Sequence, residues 1–207
     1  FGLSRRDMDH VCSAAAVDLE ALRGKSLFLT GGTGFFGKWI IASLCHAEAT
    51  LGLGLRLTVL SRDPGKFLAQ YPELAERTEL RFVAGDITNF TLTEDCFDYI
   101  IHAATDTLGI STPELEKKRA QAIVAGTRRV LELMRSCDAR RLLNVSSGAV
   151  YGAAAARPSG ASEDDYATAT PLTPYARAKR EAETLCAESG LDVDTARAFA
   201  FLGPHLP

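Results

Sequence analysis

Ser26-Leu27-Phe28-Leu29-Thr30-Gly31-Gly32-Thr33-Gly34-Phe35-Phe36-Gly37 decides how this chain folds. A short apolar run ends in a glycine-rich turn, and a helical pattern continues from about Phe35 to Ala49. The spacing of Gly31, Gly34 and Gly37 has a physical reading. The first glycine permits a tight turn, the second lets a pyrophosphate approach the backbone, and the third lets helix pack on strand. The helix start then offers unpaired N–H groups to phosphate. Between a strand and its helix, this pattern points to dinucleotide binding. Gly31, Thr33, Gly34, Phe35, Phe36 and Gly37 are therefore candidate ligand contacts.

Outward from this turn, apolar runs alternate with amphipathic stretches. Strands are expected at Leu55–Leu60, Leu80–Val83, Tyr99–His102, Leu142–Ser146 and Val193–Ala198. Helices are expected from Pro64, interrupted at Pro72, from Pro113 to Cys137, and from Pro174 to about Ser189. Ser4 can cap an opening helix over about Arg5–Leu22, and Ala153–Thr170 reads as a loop. Strands that are apolar throughout and alternate with helices predict an α/β fold with a doubly wound parallel sheet. We expect a helical extension over residues 1–23 and a Rossmann domain over 24–207. The chain opens on Phe1 and closes on the turn-rich Gly203–Pro207, so a substrate domain is expected to be absent or truncated.

The second strand runs into Ser61 and Arg62, with Asp63 late. An acid at the strand end would receive a ribose hydroxyl and favour NAD. A hydroxyl and a guanidinium suit a 2′-phosphate, so NADP is expected, with NAD the alternative. Asp86 and Ile87 follow the third strand, where a carboxylate can accept from an adenine amino group. Ala103 and Ala104 follow the fourth and let a ligand pass close to the chain. His102 reads as a packed strand-end residue.

Tyr175 and Lys179 are one helical turn apart on one face, and Ser146-Ser147 close the fifth strand at the carboxyl edge where such sheets bind ligands. This set suits removal of a carbinol proton as hydride leaves its carbon. A phenol of pKa about 10 needs roughly 4 kcal/mol of help to act near neutrality. An ammonium at about 4 Å supplies about 4 kcal/mol at an effective dielectric of 20. Ser147 can hold the substrate oxygen in line.

Taken together, TGGTGFFG (Thr30–Gly37), GDI (Gly85–Ile87), HAA (His102–Ala104), SSGAVYG (Ser146–Gly152) and YARAK (Tyr175–Lys179) resemble the extended short-chain dehydrogenase/reductases. The resemblance is to the NAD(P)-dependent sugar-nucleotide epimerases and dehydratases, with motifs in order from about Ser26 to Pro204. It implies Tyr175 as base, Lys179 as its partner and a ribose ligand, and Ser147 as the catalytic hydroxyl. It also implies a nucleotide-sugar substrate, and dimerisation through the two long helices as a four-helix bundle. Two features depart from the pattern. Gly148 and Ala149 stand where dehydratases of the family carry an acid pair, which favours epimerisation or reduction. Ile123 stands where many relatives have Asn before the Gly126-Thr127 pair.

Composition excludes other classes. The 207 residues are 46% hydrophobic and 24% charged, a globular balance. The net charge of −3 and the short pairs Arg128-Arg129 and Arg140-Arg141 argue against nucleic acid. Apolar runs are too short to span a bilayer, and no signal-peptide pattern opens the chain. Five scattered cysteines fit buried thiols in a reducing compartment, so a cytoplasmic location is expected and no metal site. Two alternatives stay open: a reductase of another small carbonyl compound, alone or within a larger synthase, and a nucleotide-binding module without turnover.

Overall fold

The computed structural model describes residues 1–92, 96–105 and 112–206. Pro207, the end of the turn-rich closing segment, lies outside them. Six parallel strands form one sheet: β1 (Ser26–Thr30), β2 (Arg56–Ser61), β3 (Leu80–Ala84), β4 (Tyr99–His102), β5 (Arg141–Ser147) and β6 (Val193–Ala198). Their order is β3-β2-β1-β4-β5-β6. The chain winds outward one way from β1 and then returns to its other side. The crevice at that reversal, beyond the carboxyl ends of β1 and β4, is where open α/β sheets receive ligands.

The helices are α1 (Arg5–Ala14), α2 (Ala16–Glu20), α3 (Phe35–Leu51), α4 (Pro64–Gln70), α5 (Pro113–Cys137) and α6 (Pro174–Ala187). Three begin on a polar residue followed by proline. Asp63, Thr112 and Thr173 accept from the backbone N–H of Lys66, Leu115 and Ala176 at 2.9, 3.2 and 3.1 Å. Proline at the first position loses no helical hydrogen bond. The start of each of these helices is therefore fixed locally. At the other end, Gly52 closes α3 in the left-handed region.

The two faces of the sheet carry separate cores. Leu27, Leu29, Leu57 and Val59 pack under α3 with Ile41, Leu44 and Phe67. Phe28, Leu60, Ile100 and Leu142 meet Val130, Met134 and Cys186 of α5 and α6 on the other face. Side chains of β1 alternate between these cores, and both are buried, as the apolar run predicts. The outer strands differ. Most of β6 is exposed or half-buried, as is β3, because each has a neighbour on one side alone.

Three further expectations are corrected. The opening helix divides at Ala15 into α1 and α2, and the Ser4 side chain makes no capping bond. Of the stretch Ala153–Thr170 read as loop, the first residues belong to a 3-10 segment at Gly148–Ala156, and Glu163–Ala167 form another. Cys12, Cys45 and Cys186 are buried thiols, but Cys137 is half-buried and Cys96 exposed. The basic pairs have internal partners: Arg129 donates to the Phe90 carbonyl, Arg140 pairs with Asp98, and Arg141 pairs with Asp192. Among the described residues no helix is long and apolar enough to cross a membrane, and no acidic, His or Cys cluster could hold a metal ion.

Candidate active site

The glycine turn folds as its spacing requires. Gly31 has φ +74°, and a Cβ there would lie 2.5 Å from the Ala103 carbonyl and 2.7 Å from the Ala104 nitrogen. Only glycine meets both conditions, and the turn is thereby pressed against the end of β4. Thr30 ties the same junction, since its carbonyl accepts from Ala103 N–H at 3.2 Å and its hydroxyl from Ala104 N–H at 3.3 Å. At Gly37 a Cβ would fall 2.2 Å from the Gly31 oxygen, so α3 starts in direct backbone contact with the turn. Gly34 is different. It is exposed, and its nearest obstacle would be the Gly31 oxygen at 3.3 Å. The space above Gly34 is thus a cradle that a side chain would partly fill, at the N-cap of a 17-residue helix. Thr33, Phe35 and Phe36 line the turn half-buried. Phe36 meets Phe201 edge to face at 5.1 Å.

Ser61 is buried at the end of β2, its hydroxyl accepting from Asp63 N–H at 3.3 Å. Asp63 spends its carboxylate on capping α4. Arg62 is exposed. Asp86 accepts from the Thr88 hydroxyl and N–H at 2.6 and 2.9 Å, and these bonds, with a smaller contribution from Arg62, hold its carboxyl below the usual range. Ile87 packs on α5, where it would collide with any Cβ at Gly126. His102 is a structural residue, as expected. Its ring nitrogens bond Thr30 at 2.8 Å and Thr127 at 3.3 Å, and burial, with the nearby Lys179 charge, pushes its pKa down to about 3.

The structure brings Tyr175, Lys179 and Ser147 together. Ser147 is the polar neighbour whose side chain acts on the Tyr175 phenol. Lys179 is buried and donates to the Val145 carbonyl at 2.8 Å. The electrostatic balance differs from the simple expectation. Burial raises the Tyr175 phenol, opposed by Ser147. Burial also pulls Lys179 down to about 8, opposed by Glu183. Lys179 thus gives a hydrogen bond to a strand carbonyl, while burial and Ser147 act on Tyr175. At the dehydratase acid positions, Gly148 has a structural reason to be small. A Cβ there would sit 2.7 Å from the Phe199 ring, which stacks on Tyr151 at 6.1 Å.

Sequence reasoning missed the groups behind this set. Glu183 is 5% exposed and accepts from the Ser146 hydroxyl. Arg197 of β6 grips it with Nε at 3.2 and 3.1 Å and Nη2 at 2.9 Å. The same guanidinium donates to the Tyr151 hydroxyl at 2.8 Å and Glu163 at 2.6 Å, and lies 3.9 Å from the Tyr166 ring centre. A signal existed. Tyr175, Lys179 and Glu183 recur at four-residue steps, and an arginine interrupts an otherwise plain edge strand.

The described residues thus form a doubly wound sheet with a glycine-rich turn at β1 and Tyr175 and Lys179 on the helix beside β5. The chain belongs to the NAD dependent epimerase/dehydratase family, whose model matches residues 27–207. It is similar to the UDP-glucuronate 4-epimerase of Thermodesulfobacterium geofontis (strain OPF15), with 28% identity over 85% of this chain and 56% of that protein. Among solved structures it resembles a UDP-glucuronic acid 4-epimerase from Bacillus cereus in complex with NAD. There the TM-score is 0.68 at 22% identity, over 87% of this chain and 58% of the other. It also resembles the epimerase Mth375 of Methanothermobacter thermautotrophicus, with TM-score 0.71 at 22% identity, over 90% and 55%. The chain thus spans little more than half the length of these relatives.

Proposed function

We propose that this chain is the cofactor-binding and catalytic part of an NAD(P)-dependent enzyme that epimerises or reduces a nucleotide-linked sugar. Tyr175 is the base, Lys179 its cationic partner and Ser147 the hydroxyl that orients the substrate oxygen. The observation that carries this reading is a buried lysine one helical turn from Tyr175, whose phenol has Ser147 as polar neighbour, in a fold whose β1 turn leaves Gly34 open.

The residues present fit the cofactor. Gly31, Gly34 and the N–H groups opening α3 would hold its pyrophosphate, Ala103 and Ala104 leave room beside the chain, and Asp86 and Ile87 flank the adenine end. NAD(P) bound there would supply the hydride acceptor for the carbinol carbon. Between the two cofactors we favour NADP. Ser61 and Arg62 end β2, and the acid that follows is committed to a helix cap. Within the site, Ser147 holds the sugar oxygen, and Tyr175 takes its proton as the carbonyl forms. Gly148 and Ala149 carry no titratable group, so the reading is epimerisation or reduction rather than dehydration. We place the protein in the cytoplasm as a homodimer through the exposed faces of α5 and α6.

Replacing Tyr175 by Phe tests the assignment. UDP-glucuronate is the first substrate to offer, because relatives named above act on it. Wild type should interconvert the sugar or change the redox state of the nicotinamide. Tyr175→Phe should lose about 10²- to 10⁴-fold of that rate. Full turnover in the variant refutes the base. The raised Tyr175 favours a second reading, a module that binds nucleotide without turnover. A wild-type protein that binds NAD(P) yet leaves it unchanged with every sugar and carbonyl compound offered would establish that reading.

A further inference from the structure

Three consecutive residues of β5 face three residues of α6 spaced one turn apart, two of them through hydrogen bonds. The Val145 carbonyl receives Lys179, Ser146 donates to Glu183, and Ser147 is the polar neighbour of the Tyr175 phenol. Two of these α6 residues have the roles proposed above, on which this inference rests. The third has none. Glu183 is as buried as Lys179, and its carboxylate is filled by Ser146 and a two-pronged Arg197. Removing a carboxylate from water is costly, and its fold position must hold it strongly in return. A hydrophobic residue would pack α6 on β5 without that cost.

We propose that Glu183 is a positioning residue for the Tyr175–Lys179 pair: clamped by Arg197 and Ser146, it fixes the register of α6 on β5 and supplies the negative charge that keeps Lys179 an ammonium. It touches no substrate. Its charge acts on Lys179 one turn away, and its bonds join α6, β5 and β6 into one unit. The groups facing Lys179 are few. Glu183 and Cys186 lie on its own helix and both favour the ammonium. His102 faces it from β4 as a neutral imidazole, and Val145 offers a carbonyl from β5. Glu183 is thus the acidic counterweight to burial, and Arg197 holds it in place without itself pairing with the lysine.

The experiment follows the Lys179 side chain by NMR in lysine-labelled full chain, its signal assigned by loss in Lys179→Met. In wild type the midpoint should lie near 8. Glu183→Gln keeps the shape and the Ser146 bond but removes the charge, and should lower the midpoint by about one pH unit. Glu183→Asp should restore most of that shift. A merely structural glutamate would lower the melting temperature in both variants and leave the titration alone. An unmoved midpoint in folded Glu183→Gln overturns the proposal. Should that variant fail to fold, the Glu183 carboxyl carbon in wild type decides instead. An ionised signal at pH 7 supports the proposal and a protonated one overturns it. The titration needs no substrate, so its failure leaves the Tyr175→Phe test untouched. Equally, a shifted midpoint in a protein without turnover would retain Glu183 and discard the proposed activity.

Discussion

Gly37→Ala and Gly34→Ala should separate folding from ligand binding within one turn of chain. Both add a single methyl group. At position 37 it would lie 2.2 Å from the Gly31 oxygen and 2.3 Å from the Gly32 Cα, and both obstacles are backbone. Helix propensity pulls the other way, since alanine is better than glycine in a helix by about 1 kcal/mol. Overpacking costs about 1–3 kcal/mol and more where backbone must move. The collision therefore wins, and a net loss of about 2–3 kcal/mol is expected. At about 2–4 °C per kcal/mol for a chain of this length, the melting temperature should fall by about 4–12 °C. At position 34 the backbone is extended, with φ −81°, and the methyl would meet one oxygen at 3.3 Å. Losing a glycine cap costs about 1 kcal/mol or less, so a drop of at most about 4 °C is expected. The ligand effect should rank differently. Thermal shift with NADP and NAD should give a clear rise for wild type and a much smaller one for Gly34→Ala, whose methyl enters the cradle. Circular dichroism melts of both variants with and without cofactor measure this. A Gly37→Ala protein that melts within about 2 °C of wild type would refute the reasoning, because the third glycine would then not be a packing contact.

Other consequences are simpler to read. His102 has a folded pKa of about 3 against an unfolded value near 6.5, so its contribution to stability is complete above pH 6.5 and is lost as pH falls toward 3. His102→Gln should flatten that acid limb in urea titrations at stepped pH, and an unchanged slope would show that the imidazole is not the group responsible. Arg62→Ala should weaken NADP by more than about tenfold while leaving NAD within about twofold, measured by calorimetry. Equal losses for both cofactors would remove the argument for NADP. Thiol labelling of the native chain should modify Cys96 first. Burial holds Cys45 up to about 12 and Cys186 to about 11, so both should react only after unfolding.

How much of this was legible depended on whether the cause was local. The prolines at Pro64, Pro113 and Pro174 marked three helix starts, and the glycine spacing marked the β1 turn. Apolar runs located all six strands within a residue or two. The division of α1 from α2 was not legible, because Ala14-Ala15-Ala16 carries no breaker. Nor were the short turns at Gly148–Ala156, which form against neighbours distant in sequence, such as the Thr170 carbonyl that closes on Gly152. Gly148 could be read as a missing acid, but not as a floor for the Phe199 ring. Arg197 and Glu183 were invisible as a pair, since 14 residues and a helix-to-strand connection separate them.

The site's electrostatics show why that hidden pair matters. Burial drives an acid and a base toward each other: it raises the Tyr175 phenol and lowers the Lys179 ammonium. A phenol and an amine left to burial alone would both be neutral at working pH, and a neutral amine cannot stabilise a phenolate. The opposing influences act on each residue separately. Ser147 opposes the rise at Tyr175, and Glu183 opposes the fall at Lys179. Glu183 does so through its carboxylate, which is 5% exposed. Arg197 answers it with a fixed fork. Burial alone would lower the guanidinium, and its bonds to Glu183 and Tyr151 more than reverse that. The chain of dependence therefore runs from an edge strand, through two ion-paired side chains, to the lysine one helical turn from Tyr175. A change at Arg197 should be felt at Tyr175 without any contact between them.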